Sequence, residues 1–421
     1  MKRLLCILFA ALLLAACTAK PDPAGKAAPT SEPVSTPEPV RSDPVAVPEI
    51  DGYGSFAAVL ASKLLDGTAN KNLSPISVYL ALAMVAEGAN GESQESMLAL
   101  LGCKTIEELR TICGAMLETL SIDQDGSTLA LADSIWMANE LGGVKAEFDA
   151  DYLKTLADVF RSEAHAVDFT QQSTKKQIAD WITEHTRGKI KISEDALNFD
   201  EQTLAVLINT IYLKDAWADD FYEGATESGT FYGLGSELTV DYMNRFDRAS
   251  SIVQGDGFLR YSLPLRRVGR MTFILPDEGV DLSGLLASPE ALKAVLTGGD
   301  SIRADVSVKL PKFKFQDRFD LNEPLMELGL AGLFTDGADL SGMCNVPARI
   351  SRVIQESYIG VDENGVEAAA YTMVVADGAT MMPPEDLPQI DFHLTRPFLY
   401  VIESWDGTVL FIGTVTAPAF E

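Results

Sequence analysis

Val361 to Thr380 reads Val-Asp-Glu-Asn-Gly-Val-Glu-Ala-Ala-Ala-Tyr-Thr-Met-Val-Val-Ala-Asp-Gly-Ala-Thr, and the chemistry it offers is that of the backbone. From Val366 the even positions are Val366, Ala368, Ala370, Thr372, Val374, Ala376 and Gly378, all small and uncharged. The odd positions hold the awkward groups, Glu367, Tyr371, Met373 and Asp377. Side chains on a strand alternate faces, so this pattern is a strand with one buriable face and one wet face. No proline lies between Pro347 and Pro383, which leaves every N–H of the stretch able to join a sheet ladder. Yet Gly365, Gly378 and the following Met381-Met382-Pro383-Pro384 are the residues of an exposed loop. The stretch reads as a strand not yet in a sheet. On composition alone a short helix or a soft linker fits as well, because alanine is the best helix former.

Side-chain chemistry is thin elsewhere. The three histidines, His165, His185 and His393, stand far apart, and no nucleophile-elbow or His-Glu-x-x-His pattern joins a base to a nucleophile or a metal. His185 reads as a surface or capping residue. Acidic residues are scattered as on a solvated face, no glycine motif cradles a phosphate, and Gly233 and Gly235 beside Ser236 read as a turn. Past residue 17 the cysteines are Cys103, Cys113 and Cys344, an odd number without metal-ligand spacing. No catalytic residue, disulfide framework, metal or cofactor is expected, although a triad assembled from distant residues stays open.

The segment Val361 to Thr372 resembles the hinge of the serpin reactive-centre loop, and Arg396-Pro397-Phe398 with Leu410 to Val415 resembles that family's C-terminal strands. The resemblance covers nearly all of residues 51–421 as one domain. It implies an α+β fold, a serpin-like single domain with three β-sheets, about eight or nine helices and an exposed reactive-centre loop. It also implies a mechanism. A serine protease cuts the loop, the freed hinge enters the large sheet as a new strand, and the acyl-linked protease is dragged across the molecule and distorted before water can release it. The implied partner is a serine protease in covalent complex with a monomeric inhibitor.

Carried over residue by residue, the hinge is Glu363, Gly365, Val366, Glu367, Ala368, Ala369, Ala370 and Thr372. Val366 replaces the family's usual threonine or serine, and Tyr371 is bulky. Val366 is still small, and Tyr371 falls on the wet parity, so neither should block insertion. This favours an inhibitor over the alternative, a non-inhibitory binding lipoprotein on the same fold. The family's spacing of seventeen residues from Glu363 puts the scissile bond at Ala379-Thr380, with Met381 or Met382 as alternatives because the segment onward to Arg396 is long. No Lys or Arg occurs between Arg352 and Arg396, so a trypsin-like protease finds no charge to grip. The expected target is elastase-like or subtilisin-like, with a small or apolar pocket; an aspartate-specific protease acting at Asp377 is a lesser alternative.

The elements that must position this hinge are legible too. Phe56, Val59, Leu60 and Leu64 recur at helical spacing, and Ser74-Pro75 offers an N-cap followed by proline at the first helical position of a second helix running to Gly88. Asn70, Ser74-Pro75-Ile76-Ser77, Gly88-Ala89 and Gly91 resemble a serpin segment in which the residues matching Ser74 and Ser77 lie beneath the sheet where it must part. Leu129 to Met137 is strand-like. Ile178, Trp181, Ile182 and His185 mark a helix with a glycine stop at Gly188. Leu204 to Leu213 is a continuous apolar run of central-strand type, interrupted by Asn209, which needs a partner once buried. With Trp217 it completes the implied sheet-opening region of Ser74, Ser77, Asn209 and Trp217. Met271 to Pro276 and Val306 to Phe313 are further strands.

At the N-terminus Lys2 and Arg3 precede thirteen apolar residues, Leu4 to Ala16, too short to span a bilayer. Leu14-Ala15-Ala16-Cys17 resembles a bacterial lipobox, which makes residues 1–17 a lipoprotein signal peptide and Cys17 the lipidation site. Residues 18–50 carry eight prolines and read as a disordered Pro-rich spacer. The domain at 51–421 is therefore expected outside the cytoplasm, lipid-anchored to the bacterial cell surface and touching membrane only through its anchor. Loss of residues 1–17 leaves 31 basic against 61 acidic residues, a net charge of −30 that argues against nucleic acid as a partner.

Overall fold

In the computed structural model, which describes residues 51–367 and 386–420, nine α-helices are present among the described residues. They are α1 (Asp51–Leu64), α2 (Pro75–Gly88), α3 (Gly91–Leu100), α4 (Ile106–Thr119) and α5 (Ala150–Thr155), then α6 (Gln172–His185), α7 (Leu282–Leu286), α8 (Pro289–Thr297) and α9 (Asn322–Leu325). The first strands are β1 (Lys71–Leu73), β2 (Ile122–Gln124), β3 (Ser127–Ala138), β4 (Glu140–Leu141), β5 (Val144–Lys145), β6 (Glu163–Val167) and β7 (Ala205–Ala216). The middle ones are β8 (Glu227–Tyr232), β9 (Glu237–Gly255), β10 (Phe258–Pro264), β11 (Gly269–Pro276), β12 (Asp300–Pro311) and β13 (Phe313–Asp320). The last are β14 (Ile350–Asp362), β15 (Gly365–Val366), β16 (Gln389–His393), β17 (Phe398–Ser404) and β18 (Val409–Val415).

These strands form three sheets. One has nine strands in the order β1-β18-β17-β11-β10-β9-β12-β16 with β8 on β9, one has seven strands, and β4–β5 is a hairpin. The seven-stranded sheet runs β13-β14-β15-β7-β3-β2, with β6 on β3. Its central strands β7 and β14 are parallel over Ala205–Ile211 and Ile350–Ser357 and separate beyond that point.

The apolar runs explain the layering. The inward faces of both large sheets pack on α2, which is buried along almost its whole length and so reads as hydrophobic on all sides. The opposite face of the seven-stranded sheet carries a second core, where Trp136, Val206, Ile208 and Ile354 meet Ile178, Trp181 and Ile182 of α6. Pro75 takes the first helical position of α2 as the sequence indicates, but Ser74 does not cap it with its side chain. Its hydroxyl lies 3.1 Å from that of Ser77 instead, and its backbone N–H and carbonyl are bonded to Gln355. Cys103, Cys113 and Cys344 are buried free thiols.

Candidate functional site

The root of the stretch that opens the sequence is already in the sheet. Gly365 and Val366 lie between β14 and β7 and run antiparallel to both, Val366 opposite Val361 on one side and Asp215 on the other. Gly365 is required there, since its φ of +147° is disfavoured for other residues and a Cβ would collide with the Asp215 carbonyl and Ala216. Val366 points inward and is 2% exposed within the main core, which is the face its even position predicts.

Glu367 departs from the wet face assigned to it. Its N–H continues the ladder to the Gly360 carbonyl at 2.7 Å, but its φ of +47° ends the strand. Its carboxylate is half-wrapped by protein, 2.8 Å from Lys189 Nζ and accepting a 3.1 Å hydrogen bond from the Tyr212 hydroxyl. Burial pushes this carboxyl above its usual value, with Lys189 opposing the shift. Lys189 sits just past the glycine stop of α6, where Gly188 takes a φ of +78°.

The turn above is clamped from three sides. Glu363 is 2.8 Å from Lys312 Nζ and accepts a 2.7 Å hydrogen bond from Thr226. Burial raises its pKa, and these two partners outweigh that and hold it below the usual range. Trp217 is fully buried, its indole N–H on the Asp362 carbonyl at 2.9 Å and its backbone N–H on Asn364 at 3.0 Å. Asp215 accepts from Ser127 Oγ at 2.6 Å and from the N–H groups of Arg267 and Val268 at 2.9 and 2.7 Å, which ties β7 to β3 and to the β10–β11 turn.

Below β15 the strands close over a buried polar network. The amide of Gln355 donates to the Ser74 carbonyl at 2.7 Å and to Asn209 Oδ1 at 3.1 Å, while Gln355 Oε1 accepts from the Ser74 N–H at 3.0 Å. Ser74, Ser77 and Asn209 are thus brought together with Gln355 under the junction of β14 and β7, and Trp217 stands apart at the top of it. Sequence reading did not single out Gln355, Asp215, Lys189, Tyr212 or Lys312. The run Gln355-Glu356-Ser357 inside an otherwise apolar strand carries the same signal as Asn209. The others are surface-type residues whose partners are distant in sequence. Ala368, Ala369, Ala370, Thr372, the bond Ala379-Thr380, Met381 and Met382 lie outside the described residues, as do the signal segment with Cys17 and the spacer.

One Ser-His-Asp grouping does assemble. Ser307 Oγ is 3.0 Å from His393 Nε2, and Asp391 Oδ1 is 3.8 Å from the same nitrogen. A relay needs the carboxylate on the other ring nitrogen, so this arrangement is not that of a triad. His185, partly exposed in the last turn of α6, stacks on Trp181 with Nδ1 2.8 Å from the Trp181 carbonyl. Among the described residues no three His, Cys, Asp or Glu groups are placed to hold a metal ion, and no helix is long and apolar enough to cross a membrane.

A large sheet that holds the root of its own chain between two parallel strands defines a distinct class of fold, and the comparisons with known proteins agree with it. The chain belongs to the family described as Serpin (serine protease inhibitor), whose model matches residues 51–418. It is 31% identical over 390 residues to Serpin-Z2A of Triticum aestivum, covering 87% of this chain and 94% of that one. It is 28% identical over 373 residues to the leukocyte elastase inhibitor of Sus scrofa, covering 82% and 92%. Among solved structures, the thermophilic serpin tengpin in its native state superposes with a TM-score of 0.77 at 26% identity, covering 90% and 97% of the two chains.

Proposed function

We propose that this chain is a suicide inhibitor of serine proteases that traps the acyl-enzyme by drawing its cleaved loop into the seven-stranded sheet. The observation that carries the reading is β15, two residues already paired on both edges at the mouth of the β7–β14 junction. The small, uncharged even positions beyond Val366 suit the same inward face. The target is an elastase-like or subtilisin-like protease acting at Ala379-Thr380, or at Met381 or Met382, because no cation is on offer near that segment. The similarity to leukocyte elastase inhibitors supports this choice. Cys17 and the Pro-rich residues 18–50 make it a monomeric lipoprotein held at the bacterial cell surface, outside the cytoplasm.

The test is a panel of serine proteases incubated with the protein, followed by denaturing electrophoresis and sequencing of the released fragment. A complex that survives SDS with an elastase-like enzyme is expected, and Ala379→Arg should move the preference towards trypsin. If every protease cuts the chain and leaves active, the inhibitor reading fails. The second reading, a non-inhibitory binding lipoprotein, is favoured by one feature, a groove of about 1510 Å³ between α1, α8 and strands β10 and β11, lined by Arg248, Arg260, Lys293, Leu263 and Leu296. It predicts that cleavage brings no rise in thermal stability.

A further inference from the structure

Six buried side-chain atoms among the described residues make no hydrogen bond: Asn72 Nδ2, Asp133 Oδ1, His165 Nδ1, Asn209 Nδ2, Thr210 Oγ1 and Glu356 Oε1. Leaving such groups unpaired is unfavourable, and they are normally few. Four of the six are opposed in pairs on either side of β7. On the inward face Asn209 lies opposite Asp133 of β3. On the outward face, one residue along, Thr210 lies opposite Glu356 of β14. The second pair sits one row below Ser357 and Ile211, the last residues at which β14 and β7 are paired. A bond between Glu356 and Thr210 therefore holds the mouth of that junction.

The carboxyl of Glu356 has two directions in which to turn. On β13 Arg318 lies opposite it, with Nε 3.4 Å from Oε1 as an ion pair without a hydrogen bond, and the Gln316 amide reaches the other oxygen only at 3.5 Å. On β7 it faces the Thr210 hydroxyl, and both residues are 1% exposed. Asp317 lies on the other face of β13, where it accepts from the Asn72 N–H, and Asp133 is on the inward face of the sheet. Ala132 follows Thr210 in the row, and α6 brings the apolar Ile178, Trp181 and Ile182 to this side. Next along the same face come Tyr358 and Tyr212, with Lys189 over one ring, Arg187 over the other and Glu367 bonded to the Tyr212 hydroxyl.

Ionised, a carboxylate only accepts, so its charge is drawn to Arg318, and a buried ion held by one such contact is poorly compensated. The Thr210 hydroxyl is then left unpaired, as in this structure. Protonated, the carboxyl has no charge to offer Arg318 and gains an O–H that needs an acceptor. The unpaired acceptor directly opposite is Thr210 Oγ1. One proton taken from solvent thus pairs the Thr210 hydroxyl, gives the carboxyl a partner and moves it from β13 towards β7. We propose that Glu356 and Thr210 form a proton-operated latch across the β14–β7 junction, open when the carboxyl pairs with Arg318 and closed when it donates to the Thr210 hydroxyl. The latch belongs to the intact sheet and requires no cleavage, so it holds whether or not the chain inhibits a protease. Burial pushes the Glu356 carboxyl up from 4.5 to about 7, which sets the latch near neutral pH. Its stabilising effect is full below the ordinary carboxyl range and is lost as pH rises through about 7, because the folded state binds this proton more tightly than the unfolded chain.

The experiment is hydrogen exchange of the intact protein at about pH 5 and about pH 8, corrected for the intrinsic effect of pH on exchange. In wild type the paired segments 205–211 and 350–357 should open severalfold less often at the lower pH. Thr210→Val, which keeps the shape and removes the acceptor, should abolish most of that difference, and Thr210→Ser, which retains a hydroxyl, should preserve it. Glu356→Gln should make the protection nearly independent of pH, because an amide N–H donates to Thr210 at either value. Infrared difference spectra between the two pH values give a second readout that does not pass through stability. The C=O stretch of the protonated Glu356 carboxyl, absent from Glu356→Gln, should move to higher frequency in Thr210→Val as its hydrogen bond is lost. The Asp133 carboxyl, which burial also pushes up, is common to all these proteins. An equal pH difference in opening in wild type and Thr210→Val, or a Glu356 band at one frequency in both, overturns the latch. Absence of a titrating Glu356 band in wild type overturns it as well.

Discussion

Glu356 is the residue at which burial and charge compete most openly. It is 1% exposed, and desolvation pushes its carboxyl up to about 7, with Arg318 and Gln316 opposing and Asp317 adding to the rise. Arg318 and Gln316 face it from β13, Asp317 lies on the other face of that strand, and uncharged Thr210 faces it from β7. The folded state therefore holds this proton more tightly than the unfolded chain between about pH 4.5 and 7. Protons favour folding in that window, so its contribution declines as pH rises through it and levels off above about 7, a change on the order of 3 kcal/mol. Asp133, also pushed up by burial, acts in the same direction, so the comparison has to be made residue by residue. Intact wild type should lose more Tm between pH 5 and pH 7.5 than Glu356→Gln does. Scanning calorimetry of both proteins at the two pH values checks this, and parallel losses would show that Glu356 does not titrate in the window.

At the scale of elements, the proposed mechanism gives β15, paired on both edges, the task of starting insertion in register. Ala at position 365 meets both a disfavoured φ and the backbone of β7. Gly365→Ala should expel Gly365 and Val366 from the junction, so that insertion after cleavage starts without its first two residues in place. The fraction of protease trapped should fall severalfold in favour of simple cleavage, read as the molar ratio of inhibitor needed to silence the enzyme; an unchanged ratio would mean that β15 is dispensable. The elements themselves were largely legible in the sequence: the helix opened by Pro75, the apolar run that became β7, the glycine stop after α6 and the inward face of Val366 all follow from local periodicity. Local rules failed where a tertiary partner intervened. Ser74 looks like a cap, but its hydroxyl turns to Ser77 and its backbone to Gln355, and Glu367 looks wet and is held by Lys189 and Tyr212. Partners from 155 to 281 residues away leave no trace in spacing.

The whole molecule couples a poised sheet to a strong field. The proposed insertion of about a dozen residues would add hydrogen bonds worth about 0.5–1.5 kcal/mol each, on the order of 10 kcal/mol in all. That matches the stability of an ordinary domain, so on the proposed mechanism the uncut fold would be a kinetic trap whose usefulness depends on meeting a protease before it relaxes. Encounter is where the net charge of −28 acts. A field of this sign draws a cationic protease towards the molecule and slows an anionic one, and both effects shrink as the screening length drops from about 30 Å at 0.01 M salt to about 3 Å at 1 M. The association rate constant with a cationic elastase-like protease should fall by about tenfold or more between low and high salt, and the rate with an anionic subtilisin-like protease should rise. The number of inhibitor molecules consumed per protease should not change, because insertion follows encounter and takes place within the fold. Stopped-flow measurement across a salt series separates the two. A rate with no dependence on salt would place the acidic surface outside target capture, leaving solubility as its role.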